Sequence, residues 1–331
     1  MKLKGLFVLD NYAYDVIYGP AEREEIARLV DVYAPRQSAG DVAANLSILG
    51  DAEVIFSGWG GPKLDDAFLA AAPRLKAVFY GAGSIKYMLT DAFWCRSIAI
   101  TSAYGILAVS VAEFTLAEIF FSLKRGWHCV LAAKRDGAHA PREPVAGGYG
   151  STVGIISLGM VGRRVCGLLK QFDLKVVAHD PFVDSATAAE LGVELCTLDE
   201  VFRRSDVVSL HTPWLKETEG MITGEHIRMM KRSATFINTS RGAIVRENEM
   251  IEALRARPDV FAVLDVTYPE PPVPGSLLWT LPNVVLTPHI AGPMDGECRR
   301  MGQAMIGELK RFLAGDKLQW GISHEMSKKL A

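Results

Sequence analysis

Three strand-like runs in the second half of the chain each end in side chains that can do chemistry. Residues 234–238 run into Thr239, Ser240, Arg241 and Gly242; residues 260–264 run into Asp265, Val266, Thr267, Tyr268, Pro269 and Glu270; residues 283–286 run into Thr287, Pro288 and His289. In an open α/β sheet, ligands bind outside the carboxyl ends of the strands, so these three ends can face one crevice. An arginine offers a planar fork that pairs with a carboxylate and polarises a carbonyl oxygen. A histidine that titrates near neutral pH supplies the proton an alkoxide needs when a ketone is reduced. A carboxylate beside that histidine favours the imidazolium. Arg241, Glu270 and His289 therefore suit hydride transfer to a ketone that stands next to a carboxylate. Each also has a bland explanation on its own: a surface cap, a solvated turn, a strand-end histidine.

A hydride donor needs its own site, and residues 152–162 supply a candidate. They read Thr-Val-Gly-Ile-Ile-Ser-Leu-Gly-Met-Val-Gly, a buried strand turning into a helix expected over 161–172. Against the G-x-G-x-x-G pattern, Gly159 and Gly162 take the second and third positions and Ser157 stands at the first. The second glycine lets backbone approach a pyrophosphate, the third lets helix pack on strand, and the helix amino terminus offers free amides. Asp180 closes the next strand at about the 20-residue spacing expected of the acid that accepts the ribose hydroxyls. A carboxylate there favours NAD and repels the 2′-phosphate of NADP.

The elements that position these groups follow from hydrophobic patterning. β-rich runs at 152–157, 175–179, 206–210, 234–238, 260–264 and 283–286 mostly alternate with helix-length segments, the pattern of a doubly wound parallel sheet. The first part repeats the rhythm, with candidate strands at 4–9, 53–57, 76–80 and 98–101. A helical pattern begins at Ser110, and residues 134–150, rich in Gly, Pro, Ala and charge, read as a loop or arm. The helical pattern over 294–314 has no strand after it and is free to pack back on the first domain, which makes that domain discontinuous.

Composition narrows the classes of function. A length of 331 residues suggests two domains at about 150 residues each. With 36 Lys plus Arg against 38 Asp plus Glu, no net basic field exists to hold a nucleic acid or an anionic membrane. The apolar run at the amino terminus stops at Asp10, too soon for a signal peptide, and residues 110–123 are too short to cross a bilayer. The five cysteines form no C-x-x-C pair and fit reduced thiols better than a metal site or disulfides, so no metal is expected and the cytoplasm is the expected compartment.

These segments resemble the D-isomer-specific 2-hydroxyacid dehydrogenase family over roughly residues 75–313. The motifs are Ser110-Val111-Ala112-Glu113, Leu210-His211-Thr212-Pro213, Ile237-Asn238-Thr239-Ser240-Arg241-Gly242, Leu264-Asp265-Val266 with Glu270-Pro271, and Pro288-His289-Ile290-Ala291-Gly292. The resemblance implies a catalytic triad of Arg241, Glu270 and His289. It also implies NAD contacts from Gly159, Met160, Val161, Gly162, Asp180, His211, Thr212, Pro213, Thr239, Ser240, Arg241, Asp265, His289 and Gly292. Backbone amides around Ala82, Gly83 and Ser84, with Arg241, would hold the substrate carboxylate. The expected architecture is α/β, with two doubly wound parallel-sheet domains: a Rossmann NAD-binding domain (113–292, with an arm at 124–150) inserted into a flavodoxin-like substrate domain (1–112 and 293–331).

Departures from the family pattern bear on specificity. Ser157 replaces a glycine, and Ile85 stands where many members carry an aspartate. Where phosphoglycerate enzymes have basic side chains, this chain shows Ser57-Gly58-Trp59-Gly60 and Phe79-Tyr80. Trp59 is either core or an apolar wall of the substrate pocket. The expected substrate is thus a small D-2-hydroxy or 2-keto acid of the glyoxylate or hydroxypyruvate type rather than phosphoglycerate. The alternative is an NAD-sensing, corepressor-like binding protein on the same fold. Glu270 counts against formate oxidation, since that subgroup carries an amide there. Trp127, Val130, Leu131 and Tyr149 on the arm point to a homodimer.

Overall fold

The computed structural model describes residues 2–139, 141 and 143–328. The chain divides into two compact units, one made of the residues up to Leu107 together with those from Pro293 onward, the other of Ala108–Gly292.

The first unit is built on five parallel strands: β1 (Lys4–Val8), β2 (Asp31–Val32), β3 (Val54–Ser57), β4 (Ala77–Tyr80) and β5 (Ala99–Ser102), in the order β2-β1-β3-β4-β5. This is the flavodoxin-like order, with the switch between β1 and β3. Successive side chains of a strand point to opposite faces, and here each face has its own core. Leu6, Val8, Ile55, Val78 and Ile100 join one cluster; Phe7, Val54, Phe56, Ala77 and Phe79 join the other. Burial on both faces is why the strands read as unbroken apolar runs. The helix Arg299–Ala314 adds Met301, Met305, Ile306 and Leu309 to the second cluster, so the end of the chain completes the core begun by its start.

The second unit has seven parallel strands: β6 (Thr152–Ile156), β7 (Lys175–His179), β8 (Glu194–Leu195), β9 (Val207–Leu210), β10 (Thr235–Asn238), β11 (Phe261–Leu264) and β12 (Val284–Leu286), in the order β12-β11-β10-β9-β6-β7-β8. The chain starts in the middle, runs out to β8, and returns to continue from β9, which places the topological switch between β6 and β9. The alternation repeats: Val153, Ile155, Val207, Ile237 and Val263 face one cluster, while Ile156, Val208, Phe236, Ala262 and Leu264 face the other. Two edge strands, β2 and β8, escaped the sequence reading because two residues are too few for any periodicity to register.

Three helical expectations need correction. The helix read from Ser110 begins at Tyr104 and runs to Leu123, 20 residues, long and apolar enough by length and composition to cross a membrane. Ser102 Oγ accepts the Tyr104 amide at its start, and Gly105, which looks like a breaker, sits where the Trp320 ring leaves no room for a Cβ. The helix is 44% buried over its most apolar stretch, with Ala112, Ile119 and Leu123 in the core of the second unit. The arm is partly helical too. Arg125 adopts a left-handed conformation that breaks the chain direction, and a new helix, Gly126–Asp136, follows. Trp127 and Leu131 pack on their own unit's core, leaving Val130 and Tyr149 as the exposed apolar residues among the four. The nucleotide-loop helix spans Met160–Leu169 rather than 161–172.

Candidate active site

The loop after β6 is shaped by three residues. Ser157 has φ 73°, the left-handed region that glycine occupies at little cost, so the serine keeps the backbone path expected of the missing glycine. Its amide donates to His179 O at 2.8 Å and its hydroxyl lies 2.8 Å from that of Thr212. A Cβ on Gly162 would lie 2.1 Å from Ser157 O, so only glycine lets helix and loop come this close. Gly159 differs: a Cβ there would meet nothing within 4 Å. Gly159 is the cap of the helix Met160–Leu169, and no side chain caps its amides. An open cradle over uncapped helix amides fits a pyrophosphate. At the end of β7, Asp180 accepts the amides of Leu158 at 2.7 Å and Phe182 at 2.8 Å, which holds the carboxylate beside the loop.

Loops after β9 and β10 are stitched to this one. The Ser157 hydroxyl meets the Thr212 hydroxyl, and the Thr212 carbonyl accepts the Ser240 hydroxyl. Pro213 is anchored through its carbonyl, which accepts Thr218 Oγ1 at 2.6 Å. His211 shares a hydrogen bond with Ser209 Oγ at 3.0 Å, and burial of the ring pushes its pKa down to about 3, so it is neutral at pH 7. Asn238 turns the β10 loop: its side-chain carbonyl accepts the Ser240 amide at 3.0 Å and its amide donates to Arg241 O at 3.1 Å. Thr239 is buried, its hydroxyl 3.2 Å from that of Thr115. Gly242 is required by packing, because a Cβ would sit 2.0 Å from the Thr267 carbonyl carbon. That contact brings the Thr267–Glu270 segment against the arginine loop.

Arg241 is half-buried and donates to Ser240 O at 2.7 Å. Burial lowers its pKa from the ordinary value and the charge of Glu270 acts the other way; an arginine stays protonated through such a shift. His289 Nδ1 lies 2.6 Å from Glu270 Oε1, with both side chains partly open to solvent. His289 has φ 55°, an unfavourable backbone for a residue with a side chain, of the kind stored at functional sites. Its amide donates to Asp265 O and Thr287 O, each at 3.0 Å. Asp265 is 2% exposed, and its carboxylate accepts Thr287 Oγ1 at 2.6 Å and the amides of Ile290 and Ala291 at 2.8 and 2.9 Å. These bonds tie its carboxylate to the histidine loop. A small cavity of about 160 Å³ lies against the pair, walled by Pro271, Pro272, Trp279 and Leu286.

The structure thus gathers Arg241, Glu270 and His289 at the ends of three neighbouring strands, β10, β11 and β12. Met160 is exposed, Val161 and Gly292 half-buried. Ala82, Gly83 and Ser84 belong to the first unit, on the loop after β4, where Ser102 Oγ ties down the carbonyls of Ala82 and Gly83 at 2.8 and 2.6 Å. Ile85 is buried in the first unit's core, so an apolar residue suits that position here. Trp59 is partly buried, packing on both core clusters at once. The stitching hydroxyls of Ser157, Thr212 and Ser240 were not foreseen as a connected set; Asn238 two residues before Ser240 was the available signal, since Asn turns backbone in this way.

Residues 119–291 match the family described as D-isomer specific 2-hydroxyacid dehydrogenase, NAD binding domain. The chain is 34% identical over 264 residues to a D-3-phosphoglycerate dehydrogenase of Archaeoglobus fulgidus, covering 76% of this chain and 48% of that protein. It is 32% identical over 260 residues to a glyoxylate reductase of Aeropyrum pernix, covering 76% of this chain and 78% of that one. The crystal structure of the TT0316 protein from Thermus thermophilus shares the fold with a TM-score of 0.75 and 29% identity, covering 97% of this chain and all of that one. The protein is an α/β nucleotide-binding protein whose cofactor is NAD. It belongs to the D-isomer-specific 2-hydroxyacid dehydrogenase family. It spans about half the length of the phosphoglycerate dehydrogenases it matches.

Proposed function

We propose that this chain is an NAD-dependent oxidoreductase that interconverts D-2-hydroxy acids and 2-keto acids. The observation that carries the reading is the 2.6 Å pair of Glu270 and His289, after β11 and β12, with Arg241 after β10 on the other side of β11, in a unit with an uncapped phosphate loop. Arg241 pairs with the substrate carboxylate and polarises its carbonyl. His289 donates the proton to the forming hydroxyl in reduction and takes it back in oxidation, and Glu270 steadies the charged imidazole. Amides of the first-unit loop at Ala82, Gly83 and Ser84 bind the carboxylate as well. NAD supplies or accepts the hydride when bound. Its pyrophosphate would rest on Gly159, Met160 and Val161, its ribose on Asp180, and its remaining parts along His211, Thr212, Pro213, Thr239, Ser240, Arg241, His289 and Gly292; Asp265 supports this site through the histidine loop.

Among substrates, an uncharged tail is favoured over phosphoglycerate. The loops after β3 and β4 carry Trp59 and Tyr87, and Arg36, after β2, donates to Leu9 O at 2.7 Å. A phosphate dianion beside aromatic rings would lose hydration without a built set of partners. A panel of 2-keto acids with NADH at neutral pH tests this, following absorbance. Turnover of glyoxylate or hydroxypyruvate above that of phosphohydroxypyruvate is the expected result. Tight NADH binding with no turnover of any acid would replace the enzyme by an NAD-sensing binding protein.

The chain is also proposed to act as a homodimer in the cytoplasm. Val130 and Tyr149 expose apolar surface on the arm, and a cavity of about 550 Å³ lined by Arg125, Glu143, Asp206 and Arg232 opens beside it. A second copy would cover both. Light scattering should give a mass near twice 36.1 kDa; a persistent monomer at micromolar concentration would end this part of the reading.

A further inference from the structure

The carboxyl ends of the first unit's sheet carry an aromatic cluster that the reaction chemistry does not use. Tyr12, just past β1, stacks on Trp59, just past β3, with ring centroids 6.3 Å apart and planes 24° from parallel. Tyr87, on the loop after β4, donates its hydroxyl to Gly58 O at 3.3 Å and meets the Tyr80 hydroxyl at 3.1 Å. The Gly81 amide donates to Ser57 O at 2.8 Å, so the loop that begins at Gly81 and holds Ala82, Gly83 and Ser84 is fastened to the loop that holds Trp59. Tyr12 is 55% and Tyr87 48% exposed. The Tyr87 hydroxyl is engaged within the cluster.

The position of Trp59 is set by its neighbours. A Cβ on Gly58 would lie 2.9 Å from Ile17 Cδ1, one on Gly60 2.7 Å from Asp10 Cβ, and one on Gly61 2.4 Å from Ser57 Oγ. Gly60 also has φ 72°, and Asp10 N donates to Trp59 O at 3.1 Å. A loop this closely packed presents the indole in one place, and a surface ordered before binding loses little entropy when a ligand arrives.

We infer that Tyr12, Trp59 and Tyr87 form the wall that receives the tail of the 2-keto acid, and that this wall selects flat, apolar tails, aromatic ones above all. The inference rests on the proposed oxidoreductase activity and on the carboxylate lying on the Ala82–Ser84 loop. A substrate held there extends its tail across the same strand ends, where the neighbouring loops offer rings. An aryl tail buries apolar area against them and can stack, which is the larger gain. Glyoxylate has no tail to bury, and the hydroxymethyl of hydroxypyruvate covers little ring area, so neither gains what an aryl tail gains.

The test compares kcat/KM for phenylpyruvate, glyoxylate, hydroxypyruvate and phosphohydroxypyruvate with NADH, in the wild type and in Trp59→Ala and Tyr12→Ala. The expected result is a phenylpyruvate to glyoxylate ratio of about tenfold or more, falling by about tenfold in either variant, mainly through KM. A ratio within one preparation cancels any general loss of active protein. Trp59 packs on both core clusters, so W59A can fail to fold; Tyr12 is mostly exposed, and Y12A carries the test in that case. Turnover with glyoxylate equal to or better than phenylpyruvate would overturn the inference and leave the activity standing. So would a high ratio unchanged in the folded variants. No turnover of any acid despite NADH binding would overturn the activity and the inference with it.

Discussion

Both units are parallel sheets that turn their strand carboxyl ends into loops, yet the two sets of ends are made of different material. In the second unit the loops are bound by polar contacts: Ser157 to Thr212 to Ser240, Asn238 across the arginine turn, and Asp265 to Thr287, Ile290 and Ala291. In the first unit hydrogen bonds fasten the ends as well, from Ser102 Oγ to Ala82 O and Gly83 O and from Tyr87 to Gly58 O, but the face presented is made of rings, with Tyr12 on Trp59 and three glycines fitted against side chains. Hydrogen bonds are directional and fix the angle of a charged group, which proton transfer demands. Ring packing fixes a surface and leaves the chemistry of the ligand's far end open. The same topology thus supports a set of groups for bond-making in one unit and a shaped face in the other.

The sharpest way to break that comparison is His289→Ala. If the second unit supplies the chemistry for every substrate, kcat should fall by about 10²- to 10⁴-fold with each keto acid alike, while NADH affinity stays within a few-fold. Near-normal kcat would remove the proton-transfer role, and a loss that depends on the tail would blur the division between the units. Glu270→Gln should act on the same step by removing the carboxylate that pairs with His289 Nδ1 at 2.6 Å. kcat should fall by about tenfold or more with every acid alike, while KM and NADH affinity stay within a few-fold. An unchanged kcat would show that the carboxylate takes no part in the step.

The two materials also explain what could be read from sequence. Arg241, Glu270 and His289 stand out because the chemistry requires those residue types and short, largely apolar strands of three or four residues announce where they end. Gly162 stands out because packing against Ser157 O tolerates nothing larger. The aromatic wall was only half legible: Trp59 drew notice, but its partners Tyr12 and Tyr87 come from loops far apart in the chain, joined by topology and by no spacing rule. Elements hid where a single residue misled the pattern. Gly105 looks like a helix breaker until the Trp320 ring is seen beside it, and Arg125 carries no sign that it will take a left-handed turn and start a new helix.

The glycines of the nucleotide loop offer a more graded contrast. Gly162→Ala should lower Tm, because the new methyl meets a backbone carbonyl that cannot swing away. Gly159→Ala should leave Tm nearly unchanged, since its Cβ enters open space at φ −74°, yet weaken NADH about tenfold by filling the cradle. Equal effects of the two on NADH at equal stability would show that the cradle is not where the pyrophosphate lies. Asp180→Ala should leave stability and chemistry largely alone and cut the preference for NADH over NADPH by about tenfold, as the carboxylate facing the 2′ position is lost. An unchanged preference would move the ribose elsewhere.

The smallest effect concerns acid, and it separates the units by stability rather than by catalysis. All but one of the chain's seven histidines fall in the second unit; the first holds His324. Burial lowers His211, His226 and His128, for His211 down to about 3. A histidine whose pKa is lower folded than unfolded costs nothing above its ordinary value near 6.5, and folding loses stability as pH falls below that until the folded pKa is reached. For His211 the window runs from about 6.5 to about 3, with a slope of at most about 1.4 kcal/mol per pH unit, since one proton is involved. Amide exchange at pH 7.5 and 5.5 should therefore show protection falling in β6, β9 and β10 before it falls in β1, β3 and β4. His211→Gln, which can keep a hydrogen bond to Ser209 without a titrating ring, should flatten part of that slope. Parallel loss in both units, or a slope indifferent to H211Q, would show that mild acid acts on the molecule through groups other than the buried ring at the end of β9.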